Sequence, residues 1–169
     1  GRKVMAAAAQ NLTPVTLELG GKSPAVIDPE YPIDKAVERI MFVKQFNAGQ
    51  ICTNVDYLFV HESKLQAFIQ AAAAWVQEHV PDIHSKDYTS VIDERAFQRL
   101  VHSLADAEAK GASLINLNQQ EPDAATRKFP LTLVLNSNDE MEIDTRETFG
   151  PILMVKTYQK PEEVVDYIV

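Results

Sequence analysis

A single cysteine occurs among 169 residues, and it closes the stretch Phe46-Asn47-Ala48-Gly49-Gln50-Ile51-Cys52. Free cysteine is most often a small buried hydrophobe. Here it follows a glycine turn that no core requires, which is where a nucleophilic thiol is placed. Only the thiolate attacks, and a thiol with a pKa of about 8.5 holds a few per cent of it at neutral pH, so backbone amides at the turn would have to raise that share. Upstream, Leu17-Glu18-Leu19-Gly20-Gly21-Lys22 sets a carboxylate beside a second glycine turn. A carboxylate near about 4.3 is a feeble base, and desolvation by Leu17 and Leu19 would bring it into the useful range. The plain alternative is a salt bridge from Glu18 to Lys22. A third stretch, Arg146-Glu147-Thr148-Phe149-Gly150-Pro151, places an acid and an aromatic on a Gly-Pro turn. By itself it is equally a pair of Glu147 with Arg146 or Lys156 and a core Phe149.

Other chemistries find little support. His61, His79, His84 and His102 are scattered, none in a His-Glu-x-x-His pattern, and one cysteine excludes a thiolate cluster, so no metal site is expected. Glu162-Glu163 fits the first turn of a helix, where acids complement the dipole. Neither Gly-x-Gly-x-x-Gly nor a phosphate loop is present, so these residues hold no dinucleotide through a glycine fingerprint.

Composition narrows the classes further. With 46% apolar residues the chain can bury one substantial core. A net charge of -8 and a pI near 5.0 repel phosphate backbones and anionic lipid, so neither nucleic acid nor membrane is an expected partner. One cysteine forms no internal disulfide, the first residues lack the regions of a secretory signal, and no apolar run approaches the roughly 20 residues of a membrane span. A cytoplasmic location is expected.

The elements that must position these residues alternate. Gly1 to Gln10 is alanine-rich and helical, Val15 to Leu19 reads as a strand, and Pro24 to Ile27 as a second. Asp34 reads as the N-cap of a helix through Val37, Ile40, Met41, Lys44 and Ala48, which ends at Gly49 just before Cys52. Tyr57 to Val60 is a strand. Ser63 reads as the cap of a helix with the stripe Leu65, Phe68, Ile69, Ala72, Trp75 and Val76. Asp93 caps another through Phe97, Leu100, Val101 and Leu104, closed by Lys110-Gly111. Ser113 to Leu117, Leu131 to Leu135 and Ile152 to Tyr158 are strands, 118–128 is a surface loop, and Pro161 opens a last helix. This order predicts an α/β fold in three layers, a largely parallel sheet with helices on both faces, and a site at the carboxyl ends of strands, with Glu18 and Gly20-Gly21 at one of them.

In this order, Leu17-Glu18-Leu19-Gly20-Gly21-Lys22-Ser23-Pro24, the stretch ending at Cys52, and Glu147-Thr148-Phe149-Gly150-Pro151 resemble the NAD(P)-dependent aldehyde dehydrogenase superfamily, over essentially the whole of 1–169. Residues 11–24, 87–100 and Val55-Asp56-Tyr57 look most like its coniferyl aldehyde dehydrogenase branch. The resemblance implies that Cys52 attacks an aldehyde carbon, that hydride passes to NAD or NADP, and that Glu18 activates the water that releases a carboxylic acid. It implies that the Cys52 N–H forms half of an oxyanion hole. It also implies cofactor contacts for Glu147 at the nicotinamide ribose, Phe149 at the ring, Leu19 through its backbone, and Gly1 as the last glycine of a phosphate-contacting loop.

The resemblance further implies that 1–18 is the tail of a dinucleotide-binding domain and 19–169 a catalytic domain short of its C-terminal segment. Most of the cofactor fold and the asparagine that completes the oxyanion hole would lie upstream, so this chain alone is expected to be inactive and prone to self-association. The whole enzyme would be a homodimer or homotetramer acting on aldehydes, aromatic ones by branch. Arg146 stands where the family more often has an acid. Three rivals remain: acyl transfer to coenzyme A, against which Glu18 argues; a cysteine hydrolase, for which His61 is the nearest histidine in sequence; and a non-catalytic oligomerisation piece.

Overall fold

Short runs of β-branched and aromatic residues make the strands, and longer stretches with apolar residues at three- and four-residue spacing make the helices. The computed structural model describes residues 1–169 as α1 (Arg2–Ala9), β1 (Ser23–Ile27), α2 (Ile33–Gln45), β2 (Val55–His61), α3 (Leu65–His79), α4 (Glu94–Ala109), β3 (Ser113–Asn116), β4 (Thr132–Leu135), α5 (Glu142–Thr145), β5 (Ile152–Tyr158) and α6 (Pro161–Ile168). The strands form one sheet in the order β1-β2-β5-β4-β3. β1, β2, β5 and β4 pair in parallel, while β3 runs antiparallel to β4 at the edge because it is joined to it by a loop rather than a crossover helix.

Alternation along the central strands sorts the core into two layers. Leu58 and Val60 of β2, with Leu153 and Val155 of β5, face Val37, Ile40 and Met41 of α2 and Phe68, Ala72 and Val76 of α3. Tyr57 and Phe59, with Ile152, Met154 and Tyr158, face Phe97, Leu100 and Ala107 of α4, Ile143 of α5 and Val164 of α6. The sheet is therefore covered on both faces, as expected, and its inner strands read as nearly unbroken apolar runs. Each fully buried leucine or phenylalanine contributes about 1.5–3 kcal/mol. No helix is long and apolar enough to cross a membrane.

Several local expectations are corrected. Val15 to Leu19 is not a strand. No neighbouring strand pairs with it, and Leu12, Val15 and Leu19 are exposed, so its backbone has no ladder to join. α2 begins at Ile33 with Pro32 at the cap position, which leaves Asp34 in the first turn, where it still complements the helix dipole. Ser63 caps nothing. Its N–H donates to His61 Nδ1, the side chain that caps the 3-10 turn Glu62–Lys64 leading into α3. Asp93 does cap α4, its Oδ1 accepting from Ala96 N–H at 2.7 Å.

Candidate active site

In parallel neighbouring strands, the loops entering them lie side by side. The Glu18 turn enters β1, the Cys52 loop enters β2, and the Glu147-Phe149 segment enters β5, and these three strands are adjacent. The three motifs therefore meet at the amino edge of the sheet. The expectation of a carboxyl-end site is corrected: it rested on Val15 to Leu19 being a strand, and the next strand after each motif is the one that positions it.

Glycines set the closeness of the approach. Gly20 has φ +86, and a Cβ there would lie 3.0 Å from Glu147 Cδ and closer still to its Oε2. The first motif thus packs directly on the third. Gly49 has φ +69, and a Cβ there would lie 2.6 Å from the carbonyl carbon of Gly150 and 2.9 Å from Asn54 Nδ2, so the second motif packs on the third as well. Ser23 Oγ reaches the Cys52 carbonyl at 3.5 Å, a long link between the first two. Gly1 sits against Leu17 and Leu19, 3.2 Å from Leu19 Cδ1 to its would-be Cβ.

The Cys52 loop is clamped by its own polar groups. Asn47, Ala48 and Gly49 are consecutive left-handed residues, with φ of 51, 52 and 69. For Ala48 this conformation costs roughly 1–2 kcal/mol. Asn47 Nδ2 donates to Gln50 O at 3.1 Å and Gln50 Nε2 returns to Asn47 O at 3.0 Å. Gln50 also bonds Ser90 O and Ile92 N, tying the loop to the segment ahead of α4. Asn54 is buried and donates to Gly49 O at 2.7 Å.

Behind the loops lies a buried polar layer that the sequence reading did not single out. Asp56 of β2 is 2% exposed. One of its carboxylate oxygens accepts from both the N–H and the hydroxyl of Thr148, and the other pairs with the Lys22 ammonium. Lys22 in turn donates to Ile143 O at 3.0 Å and Arg146 O at 3.1 Å. Arg99 of α4 holds the same segment from the other side, donating to Thr148 O at 2.6 Å. Lys44 is wholly buried in the last turn of α2 and donates to Val55 O at 2.8 Å. Burial pushes its ammonium from the ordinary 10.5 down to about 7, against the opposing pull of the Asp56 carboxylate. An acid inside the apolar run of β2 and a lysine on the buried stripe of α2 were the signals available.

The simpler readings of the motif residues resolve differently. Lys22 pairs with Asp56 and not with Glu18. Arg146 pairs with Glu142 at 2.6 Å and Lys156 with Asp144 at 2.7 Å, so neither occupies Glu147. Phe149, at φ +42, is 37% exposed rather than core. Glu18 and Cys52 are both exposed and are not hydrogen bonded to each other, and Leu19 is 70% exposed, so these neighbours do not desolvate Glu18. His61 lies at the far end of β2, about 20 Å of strand beyond Val55 at roughly 3.3 Å per residue, with its Nδ1 on Ser63 Oγ. No histidine is hydrogen bonded to Cys52, and no group of acids, histidines and cysteine is arranged for a metal.

A family model for the aldehyde dehydrogenase family matches residues 1–168. The chain belongs to that family. Among curated aldehyde dehydrogenases, the coniferyl aldehyde dehydrogenase of Pseudomonas sp. is 42% identical over 171 residues, covering 99% of this chain and 36% of the relative. A probable coniferyl aldehyde dehydrogenase of Caulobacter vibrioides is also 42% identical, with 35% of its length covered. Among solved structures, the substrate-bound state of Staphylococcus aureus AldH superposes with a TM-score of 0.89 at 35% identity, over 99% of this chain and 36% of that one. Betaine aldehyde dehydrogenase from Staphylococcus aureus in complex with NAD+ gives 0.83 at 26% identity, over 99% and 34%. The chain thus spans about a third of the length of the aldehyde dehydrogenases it matches.

Proposed function

We propose that the full-length protein oxidises aldehydes to carboxylic acids with NAD or NADP, using Cys52 as nucleophile and Glu18 as the base that activates water. The observation that carries this reading is the meeting of all three motifs at the amino ends of β1, β2 and β5, with Gly20 packed on Glu147.

Each residue type suits its step. Cys52 Sγ adds to the carbonyl carbon, a C–S bond forms, and the carbonyl electron pair moves to oxygen, where the Cys52 N–H can donate to it. Loss of hydride from that carbon leaves a thioester on Sγ. Glu18 then accepts a proton as water adds to the thioester carbon, the C–S bond breaks, and acid and thiolate separate. A retained glutamate at this place favours hydrolysis over acyl transfer to coenzyme A.

The cofactor fits the residues present. The Glu147 carboxylate, half-buried against Gly20, accepts no hydrogen bond within the chain and offers two oxygens to ribose hydroxyls. Phe149 is partly exposed at the same edge, and Leu19 and Gly1 lie together. Bound there, a nicotinamide cofactor supplies the hydride acceptor. The names of two similar relatives, a coniferyl aldehyde dehydrogenase and a probable one, favour aromatic aldehydes of the coniferyl type. Residues 1–18 are proposed as the tail of the dinucleotide-binding domain and 19–169 as catalytic domain, because α1 buries no residue and the main core begins with β1. A cytoplasmic homodimer or homotetramer completes the proposal.

The test is aldehyde-dependent NADH formation by the full-length protein. Turnover that disappears in Cys52→Ser is expected; turnover that survives that substitution would overturn the assignment.

A further inference from the structure

Asp56 lies four residues after Cys52, Lys22 four residues after Glu18, and Thr148 directly after Glu147. One buried carboxylate therefore touches all three motif-bearing segments. We infer that Asp56 is a positioning residue that sets Glu18 and Glu147 against Cys52 through two separable arms, Lys22 on one oxygen and Thr148 on the other. The inference rests on the proposed roles of Cys52, Glu18 and Glu147.

The chemistry of the two oxygens makes the arms distinguishable. The Thr148 arm consists of two donors, a backbone N–H that cannot reverse and a hydroxyl. The Lys22 arm is a single ammonium with two further acceptors, the carbonyls of Ile143 and Arg146. An asparagine at position 56 keeps one acceptor oxygen. That oxygen faces Thr148, where it satisfies two donors, and the new NH2 then opposes the Lys22 ammonium. Asp56→Asn thus loosens the Glu18 turn while leaving the Glu147 segment in place. Because Asp56 is buried, the NH2 that replaces its oxygen has no water to bond in place of the ammonium it opposes, which is why a change of one atom type acts at this distance.

Consequences differ by arm. Freeing the Glu18 turn slows thioester hydrolysis and leaves acylation of Cys52 in place. Freeing the Glu147 segment weakens cofactor contact and leaves hydrolysis in place. A role in general stability alone would move both together.

The experiment measures, in the full-length protein, kcat, the KM for cofactor, and the fraction of Cys52 carrying an acyl group at steady state by mass spectrometry of quenched samples. Asp56→Asn and Lys22→Met are expected to lower kcat by about tenfold or more, within the range of a lost general base, and to raise the acylated fraction. Thr148→Val is expected to raise the cofactor KM several-fold without raising that fraction. Thermal melts report folding, and because Lys22→Met removes the ammonium and leaves both Thr148 donors on Asp56, while Thr148→Val removes only the hydroxyl and leaves Lys22 in place, these two variants decide the matter if Asp56→Asn fails to fold. If the wild-type protein turns over, then Lys22→Met with no fall in kcat and no rise in acylated Cys52, or the same losses of kcat and cofactor KM in both single-arm variants, would overturn the inference alone. A wild-type protein without aldehyde-dependent NADH would overturn the functional reading and the inference with it.

Discussion

Gly49 and Gly150 meet backbone to backbone, with the carbonyl carbon of Gly150 only 2.6 Å from where a Cβ on Gly49 would stand. Because Gly49 also holds φ +69, any side chain there is strained by conformation and by contact. Gly49→Ala is expected to destabilise the fold by about 2 kcal/mol or more, from the left-handed conformation and the clash together. Gly21→Ala, at a position with open space and no left-handed φ, is the control and should change stability by less than about 0.5 kcal/mol. Urea denaturation of the two variants measures the contrast.

Gly20→Ala acts on chemistry as well as on folding, since the φ of +86 strains any side chain there. The added methyl displaces the Glu147 carboxylate, a movable side-chain end, rather than backbone. The expected result in the full-length protein is a higher cofactor KM, several-fold, with the rate of Cys52 alkylation by iodoacetamide unchanged. An unaltered cofactor KM would remove Glu147 from the cofactor site.

Lys44 makes a pH-dependent contribution of defined sign. Burial lowers its pKa from 10.5 to about 7, so between those values the unfolded chain holds the proton that the folded chain has released. From this group, stability rises as pH increases from about 7 to 10.5, and the penalty is greatest and constant below about 7. The melting temperature of Lys44→Met relative to wild type should therefore be highest near neutral pH and should decline toward alkaline pH. A difference independent of pH would contradict the burial of this amine.

Expressed by itself, the 169-residue chain is expected to form no NADH from aldehyde and NAD, and to self-associate. Leu12 at 92%, Leu19 at 70% and Val165 at 57% exposure give it apolar surface of the kind that seeks a partner. Sedimentation velocity checks the second expectation, and a strictly monomeric chain would contradict it.

Much of this arrangement is legible in the residues. The apolar stripes of α2 and α3 and the runs of β2 and β5 carry the three-layer fold because burial follows periodicity directly. The short helix α5 is not legible, since its support comes from elsewhere: Asp106 of α4 accepts from Glu142 N–H at 2.8 Å. Val15 to Leu19 has strand composition but no partner strand, and composition alone does not form a ladder. Cys52, Glu18 and Glu147 stand out by motif with a role attached, whereas Asp56 appears only within Val55-Asp56-Tyr57, with none. Its importance is in what it touches 34 and 92 residues away in sequence, and single-residue patterns do not contain contacts of that separation.

The central claim is that Cys52 carries the acyl group and Glu18 removes it. Mass spectrometry of full-length Glu18→Gln, quenched after mixing with aldehyde and NAD, tests it most directly. The account predicts about one NADH per protein and a matching acyl adduct on the peptide containing Cys52. Wild-type turnover by Glu18→Gln, or an adduct on any other residue, would contradict it.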